Sequence, residues 1–212
     1  MTRPLEVFGL DLSITAAGFA PEESVCETVG GSAPEGDRRL ITIRNRIRYW
    51  LRRHAYDLAV LEGPGFNSTR IFGVAMVHGV VRAELVAAGV PYAIVAPSTL
   101  HGFGTGSGAA TKTEMKQAAA GMAGRKFHDD NQADAWLLRR MGCAALGDLG
   151  GLTPDQIGWL GHVQSWPHPV DPYDTFVEVG QVAKCRHDVW CLRNGDHWLH
   201  PFTLDRCDKP PK

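Results

Sequence analysis

The spacing of apolar residues divides the first two thirds of the chain into short strands and longer helices. Apolar runs of strand length alternate with segments in which apolar residues recur every three or four positions, as Leu40, Ile43 and Ile47 do. The predicted strands cover residues 5–11, 17–29, 56–62 and 91–95, with a turn around Pro21–Ser24 that splits the second. The predicted helices cover residues 37–54, 68–88, 112–123 and 129–146. Three strands before the first helix, followed by alternation, predict a mixed sheet covered by helices.

Glycine and proline residues mark the predicted connections. Pro97-Ser98-Thr99 is expected to open a short helical turn, and residues Gly102 to Gly108 to form a glycine-rich loop. Further along the chain, Asn194-Gly195 is typical of a β-hairpin turn. The predicted organisation is a domain over residues 1–150, a linker over 151–173 and a small β-rich extension over 174–212.

Composition narrows the class of protein. With 212 residues, 44% of them hydrophobic and 21% charged, the chain is typical of a globular protein with one core of about 150 residues and an appendage. It has no run of about 18 apolar residues, so no membrane span is expected. The first six residues have no apolar signal core, and we therefore expect a cytosolic protein.

Positive charge is concentrated in two predicted helices, although the net charge of the chain is only −1. Between Arg38 and Arg53 the sequence has seven arginines, including Arg44 and Arg48, and no acidic residue. A second basic stretch contains Lys112 and Lys116. Such surfaces are typical of proteins that contact phosphates, although a merely solvated helix face would have the same composition.

Acidic residues occur at points that the predicted sheet brings together. Asp11 ends the first strand and Glu62 ends the fourth, and the two strands become neighbours if a helical crossover joins them. Asp130 and Asp134 are four residues apart, so they share one face of a helix for which Asp129 or Asp130 is the N-cap. A site made only of carboxylate oxygens is suited to Mg²⁺ or Mn²⁺. Two such ions would activate a water molecule and stabilise the leaving oxygen of a phosphodiester. Taken singly, each of these acids could instead be an ordinary turn residue.

Three segments together resemble the RuvC family of Holliday junction resolvases, within the ribonuclease H-like superfamily. The matching segments are Gly9 to Gly18, Leu58 to Pro64 and Gln132 to Ala135. The resemblance covers about residues 5–146, and the glycine- and arginine-rich style with its added tail is similar to phage members of the family. It implies a five-stranded mixed sheet in the order 3-2-1-4-5 with helices on both faces. It also implies a homodimer that cuts four-way junctions or other branched DNA with two Mg²⁺ or Mn²⁺ ions, in a bacterium or a phage-infected host.

The resemblance also implies roles for individual residues. Asp11, Glu62 and Asp134 would be metal ligands. The family often has a fourth acid three residues before the last one, where this chain has Asn131, and Asp130 is the substitute that we expect. Basic residues near the scissile phosphate would be Lys112, which we expect to be catalytic, and Lys116. Further DNA contacts are expected from Phe66, Arg44 and Arg48, and His128 is a candidate for positioning the substrate.

Residues 151–212 lie outside the resemblance. Cys185, His187, His200 and Cys207 could together bind a structural Zn²⁺ ion, although their spacing matches no standard zinc motif. A small apolar hairpin with incidental histidines is the alternative.

Two other functions remain possible from the sequence. An actin-like sugar kinase or ATPase also has an Asp at the end of its first strand, but Leu12-Ser13 replaces the glycine of its phosphate loop and the chain is short for two lobes. A catalytically inactive protein of the same fold that binds branched DNA is the second alternative, and the four acids argue against it.

Overall fold

The computed structural model describes residues 4–30, 37–65, 71–163 and 166–167, and the backbone of 182–184, 190–194 and 197–199. The chain divides into two compact units, Met1–Pro169 and Val170–Lys212.

A five-stranded mixed sheet forms the centre of the first unit. Its strands are β1 (Val7–Asp11), β2 (Ala16–Ala20), β3 (Glu27–Gly30), β4 (Leu58–Glu62) and β5 (Tyr92–Val95). They lie in the order β3-β2-β1-β4-β5, with the first three antiparallel to one another and β1, β4 and β5 parallel. The predicted sheet and its strand order are therefore confirmed.

Helices cover both faces of this sheet. They are α1 (Asp37–Leu51), α2 (Ile71–Ala87), α3 (Pro97–Thr105), α4 (Lys112–Ala123), α5 (Asp130–Ala145) and α6 (Pro154–Leu160). One core lies between the sheet and helices α1 and α2, around Phe8, Ile47 and Val81. The second core lies on the opposite face with α3, α4 and α5, around Phe103 and Leu137. Among the described residues, every helix is too short or too polar to span a lipid bilayer.

Helix α5 lies unusually close to the sheet because three glycines leave room for it. A Cβ atom on Gly9 would lie 1.9 Å from the carbonyl oxygen of Ala135, and one on Gly18 would lie 2.0 Å from that of Asn131. A Cβ on Gly142, within the helix, would meet Val7 at 2.6 Å. The backbone of α5 is thus pressed against β1 and β2, and this contact places the start of the helix beside the end of β1.

Two segments differ from the prediction. The expected glycine-rich loop from Gly102 begins inside α3, which continues to Thr105 and ends at Gly106 in the left-handed conformation. The indole of Trp159 packs against Gly102, 2.3 Å from where a Cβ would lie, so this position of the helix has room for the indole only because it has no side chain.

That indole belongs to α6, in the range 151–173 that the sequence predicts to be a linker. The side chain of Thr153 accepts a hydrogen bond from the backbone of Gln156, and the Gln156 side chain accepts one from the backbone of Thr153. This capping box favours a helix here, and the packing of Trp159 on α3 ties that helix to the first unit.

The second unit contains a three-stranded antiparallel sheet. Its strands are β6 (Val182–Lys184), β7 (Trp190–Asn194) and β8 (His197–Leu199), in that order. Asn194 is the last residue of β7 and pairs with His197, whereas the predicted Asn194-Gly195 turn would have paired Arg193 with residue 196. Gly195 itself lies outside the described residues.

Candidate active site

The acidic residues singled out in the sequence lie around one cleft at the carboxyl ends of the parallel strands. Leu10 of β1 pairs with Leu61 of β4, so Asp11 and Glu62 leave the sheet side by side. Helix α5 adds Asp130 and Asp134 from above β1. The cleft has a volume of about 420 Å³, and all four carboxylates line it. The structure therefore brings together the acids that the sequence places far apart.

Asp11 and Glu62 form a carboxyl pair in which Asp11 is buried and Glu62 is half-buried. Asp11 is only 7% exposed. Burial raises the pKa of Asp11 well above its usual range, and the charge of Glu62 and a hydrogen bond with it raise it further. Burial likewise raises the pKa of Glu62, although the hydrogen bond with Asp11 and the charges of His101 and Lys112 oppose the shift. Two carboxylates this close repel each other, so either a shared proton or a bound cation would stabilise the pair.

Asp134 has an oxygen without a partner. Its Oδ1 atom is buried and accepts no hydrogen bond from the described residues. Burial, followed by the charges of Glu62 and Asp130, raises the pKa of Asp134 to about 7. A buried carboxylate oxygen left without a donor is costly and needs a compensating ligand.

Asp130 is in a different state, because the ammonium of Lys112 forms an ion pair with its Oδ2 atom. This contact lowers the pKa of Asp130, and it raises the pKa of Lys112. The neighbouring Asp129 is the N-cap of α5: it accepts hydrogen bonds from the backbone of Gln132 at 2.9 Å and from the hydroxyl of Thr28 at 2.6 Å. Of the two possible N-caps, Asp129 therefore has that role and Asp130 is left to face the cleft.

The donor set fits a hard divalent cation. The cleft offers carboxylate oxygens, one of which is buried without a hydrogen-bond donor. The negative charges of these carboxylates repel one another, and a bound cation would remove that unfavourable electrostatic energy. Within the described ranges, no three His, Cys, Asp or Glu side chains already stand close enough to hold a metal ion. Asp130 is turned toward Lys112. Side-chain rotation would therefore have to complete the ligand set.

The basic residues predicted to contact DNA are placed differently from one another. Lys112 lines the cleft. Lys116, one helical turn after Lys112, donates a hydrogen bond to the backbone carbonyl of His128 at 2.9 Å. On α1, Arg48 pairs with Glu84 at 2.7 Å, whereas Arg44 has no hydrogen-bond partner for its buried Nε atom among the described residues. Of these predicted basic residues, Lys112 is thus the one that contacts an acidic residue of the cleft.

Two other side chains at this edge received no role in the sequence analysis. His101 of α3 lines the cleft, and its charge acts on Glu62. Its position four residues after Pro97 puts it on the first turns of α3, but the sequence analysis expected only a short turn there. Arg39 of α1 donates to the carbonyl of Ile14 at 3.4 Å, in the turn between β1 and β2.

Five predicted site residues cannot be placed. Phe66, Cys185, His187, His200 and Cys207 lie outside the described residues, so the aromatic DNA contact and the zinc site stay predictions. Metal analysis of the purified protein would decide the second. His128 is almost fully exposed, with its Nδ1 atom 3.6 Å from Asp129.

Comparison with known proteins decides the family. No protein-family model matches the chain. The crossover junction endodeoxyribonuclease RuvC of Paenarthrobacter aurescens is 30% identical over 176 residues, which cover 73% of this chain and 93% of the relative. The protein of the same name from Renibacterium salmoninarum is 29% identical over 175 residues, covering 74% and 91%. The chain belongs to the RuvC family.

Solved RuvC structures have the same fold. Thermus thermophilus RuvC superposes with a TM-score of 0.57 at 24% identity, over 68% of this chain and 97% of that one. The T. thermophilus RuvC bound to a Holliday junction substrate superposes with a TM-score of 0.55, over 64% and 91%. The predicted ribonuclease H-like fold is thus confirmed for this RuvC-family chain, while the roles of its individual site residues stay predictions.

Proposed function

We propose that the chain is a structure-selective endodeoxyribonuclease that resolves Holliday junctions or related branched DNA by hydrolysing phosphodiesters. One observation carries the proposal: in a RuvC-family chain, Asp11, Glu62 and Asp134 converge on a single cleft in which an Asp134 oxygen is buried without a partner. Burying three carboxylates together is unfavourable unless a cation compensates.

The cleft suits Mg²⁺ or Mn²⁺, since all the acidic donors are oxygens. Asp11, Glu62 and Asp134 would hold the ions, with Asp130 as the fourth ligand. When bound, two such ions supply activation of a water molecule and stabilisation of charge at the scissile phosphate. The chain's own contribution is the rigid edge of β1 and β4, with the backbone of α5 packed directly on Gly9 of β1.

Lys112 is proposed to contact the scissile phosphate. Its side chain is 84% exposed, yet its ammonium already reaches Asp130 at the mouth of the cleft. A phosphate entering the cleft would compete with Asp130 for that ammonium. Moving Lys112 to the phosphate would at the same time free Asp130 to act as a ligand.

DNA beyond the cleft would meet the basic surfaces of α1 and α4. Arg44 and Lys116 are proposed contacts, and Arg48 would contribute through the guanidinium donors that Glu84 does not hold, since the ion pair with Glu84 uses its Nε atom. We further propose that the protein acts as a homodimer, because a four-way junction needs two symmetric cuts. The curated relatives are bacterial, which supports the bacterial cytoplasm as its place of action.

The proposal is tested with a panel of labelled DNAs of matched sequence: a synthetic four-way junction, a flap and a linear duplex, each with Mg²⁺ or Mn²⁺. We expect paired nicks in the junction and none in the duplex. A protein that binds the junction but leaves it intact would instead be an inactive branched-DNA-binding member of the fold. Hydrolysis of ATP without any action on DNA would favour the kinase-like alternative.

A further inference from the structure

The side chain of Asn131 joins the Asp11 carboxylate to the backbone of β2. With the amide nitrogen facing the sheet, it donates to the carbonyl of Ala16 at 3.2 Å and to Oδ2 of Asp11 at 3.3 Å. The opposite orientation would aim the amide oxygen at two acceptors, so the hydrogen bonds themselves determine which way the amide faces. Asn131 also lines the cleft, one turn of α5 before Asp134.

The backbone of Asn131 is held in place by the sheet below it. A Cβ on Gly18 would lie 2.0 Å from the Asn131 carbonyl oxygen, so at this point the first turn of α5 and strand β2 touch backbone to backbone. Since Gly18 pairs with Asp11 across the β1–β2 ladder, Asn131 and Asp11 are fixed to adjoining points of one rigid unit. A donor mounted in this way can hold a carboxylate with little loss of conformational entropy.

Asn131 is also a neutral donor among carboxylates. The other titratable residues on that side of the cleft include Asp11, Glu62, Asp130 and Asp134. Burial raises the pKa of Asp11, Glu62 and Asp134, and the charges of neighbouring carboxylates add to the rise for Asp11 and Asp134. A carboxylate in place of the Asn131 amide would face Asp11 and the Ala16 carbonyl with no donor between them.

We propose that Asn131 is a positioning residue that orients the Asp11 carboxylate for metal binding. It acts through Asp11 and is not itself a ligand. The inference rests on the proposed function, since it assigns Asn131 a part in the same metal site.

The test measures Mn²⁺ affinity by calorimetry in the absence of DNA, together with thermal unfolding of the metal-free protein. Loss of one hydrogen bond to a carboxylate should weaken Mn²⁺ binding by Asn131→Ala about tenfold. Asn131→Ser keeps a donor and should recover most of that loss. Gln132→Ala is the matched control on the same turn, because its side chain contacts the backbone of His128 and not Asp11, and its Mn²⁺ affinity should equal that of the wild type.

Asn131→Asp removes the donor and adds a second charge beside Asp11, so it should lower the melting temperature of the metal-free protein. A double-mutant cycle of Asn131→Ala with Asp11→Ala should show coupling in the metal-free melting temperatures.

Wild-type Mn²⁺ affinity in both Asn131→Ala and Asn131→Ser would overturn the inference, as would an equally weak affinity in both. Strict additivity in the cycle would show that Asn131 does not act through Asp11. These outcomes are separate from failure of the proposed function: a wild type that binds Mn²⁺ but cuts no branched DNA would refute the nuclease and leave the role of Asn131 standing.

Discussion

Replacing Gly9 by alanine tests whether the close contact of α5 with β1 builds the site. The added methyl group would lie 1.9 Å from the Ala135 carbonyl oxygen and 2.6 Å from the Arg139 nitrogen, both backbone atoms that cannot rotate away. Ordinary contact begins near 3.4 Å, so α5 must move off β1 by more than about 1 Å. Overpacking of this size costs about 3 kcal/mol, which lowers the melting temperature of a unit of this length by roughly 10 °C.

The same movement should abolish most of the activity. Asp134 is mounted on the displaced turn, and a shift of about 1 Å in a catalytic group can reduce a rate roughly a hundredfold. Differential scanning calorimetry and junction cleavage below the melting transition measure the two effects. Gly121→Ala is the matched control, because a Cβ there meets nothing within 4 Å and alanine is favoured in a helix by about 0.5–1 kcal/mol. A Gly9→Ala protein that melts and cuts like the wild type would refute the packing argument.

Three further predictions concern the charges at and around the cleft. Burial raises the pKa of Asp134 to about 7, so between pH 4 and pH 7 the folded metal-free protein holds a proton that the unfolded chain has released. The melting temperature of the protein in EDTA should therefore fall from pH 4 to pH 7, and Asp134→Asn should make that fall shallower. Lys112→Ala should shift the melting temperature by less than about 3 °C, because an exposed ion pair contributes about 1 kcal/mol or less to stability. The variant should nevertheless cut junctions at least roughly tenfold more slowly, and a normal cleavage rate would show that Lys112 has no role in the site. Arg44→Ala should lower the slope of log affinity against log salt for junction binding by about 1, and an unchanged slope would exclude it from the DNA contacts.

Much of the sheet could be predicted from the sequence because its signals are local. The apolar runs and the alternation of strands with helices predict a mixed sheet, and the strand order that the family resemblance implies is the one observed. The same reasoning predicts that Asp11 and Glu62 emerge side by side, since each directly follows an apolar run.

The remaining features depend on contacts between residues distant in the chain. The pairing of Lys112 with Asp130 joins two helices, and the choice of Asp129 over Asp130 as N-cap depends on the Thr28 hydroxyl a hundred residues away. No local pattern shows that Gly9 and Gly18 lie under α5. The capping box before α6 consists of neighbouring residues and is visible in the sequence. The packing of Trp159 on Gly102, which stabilises so short a helix, could not be predicted from the sequence.

We propose that the carboxylates of this cleft hold the ions with which the protein cuts branched DNA. The most direct measurement is cleavage of a four-way junction against Mg²⁺ concentration by the wild type and by Asp11→Asn, with Asp155→Asn, an exposed acid on α6, as control. We predict metal-dependent cleavage by the wild type and the control, and loss of cleavage with retained junction binding in Asp11→Asn. Cleavage by Asp11→Asn at the wild-type rate would contradict the account.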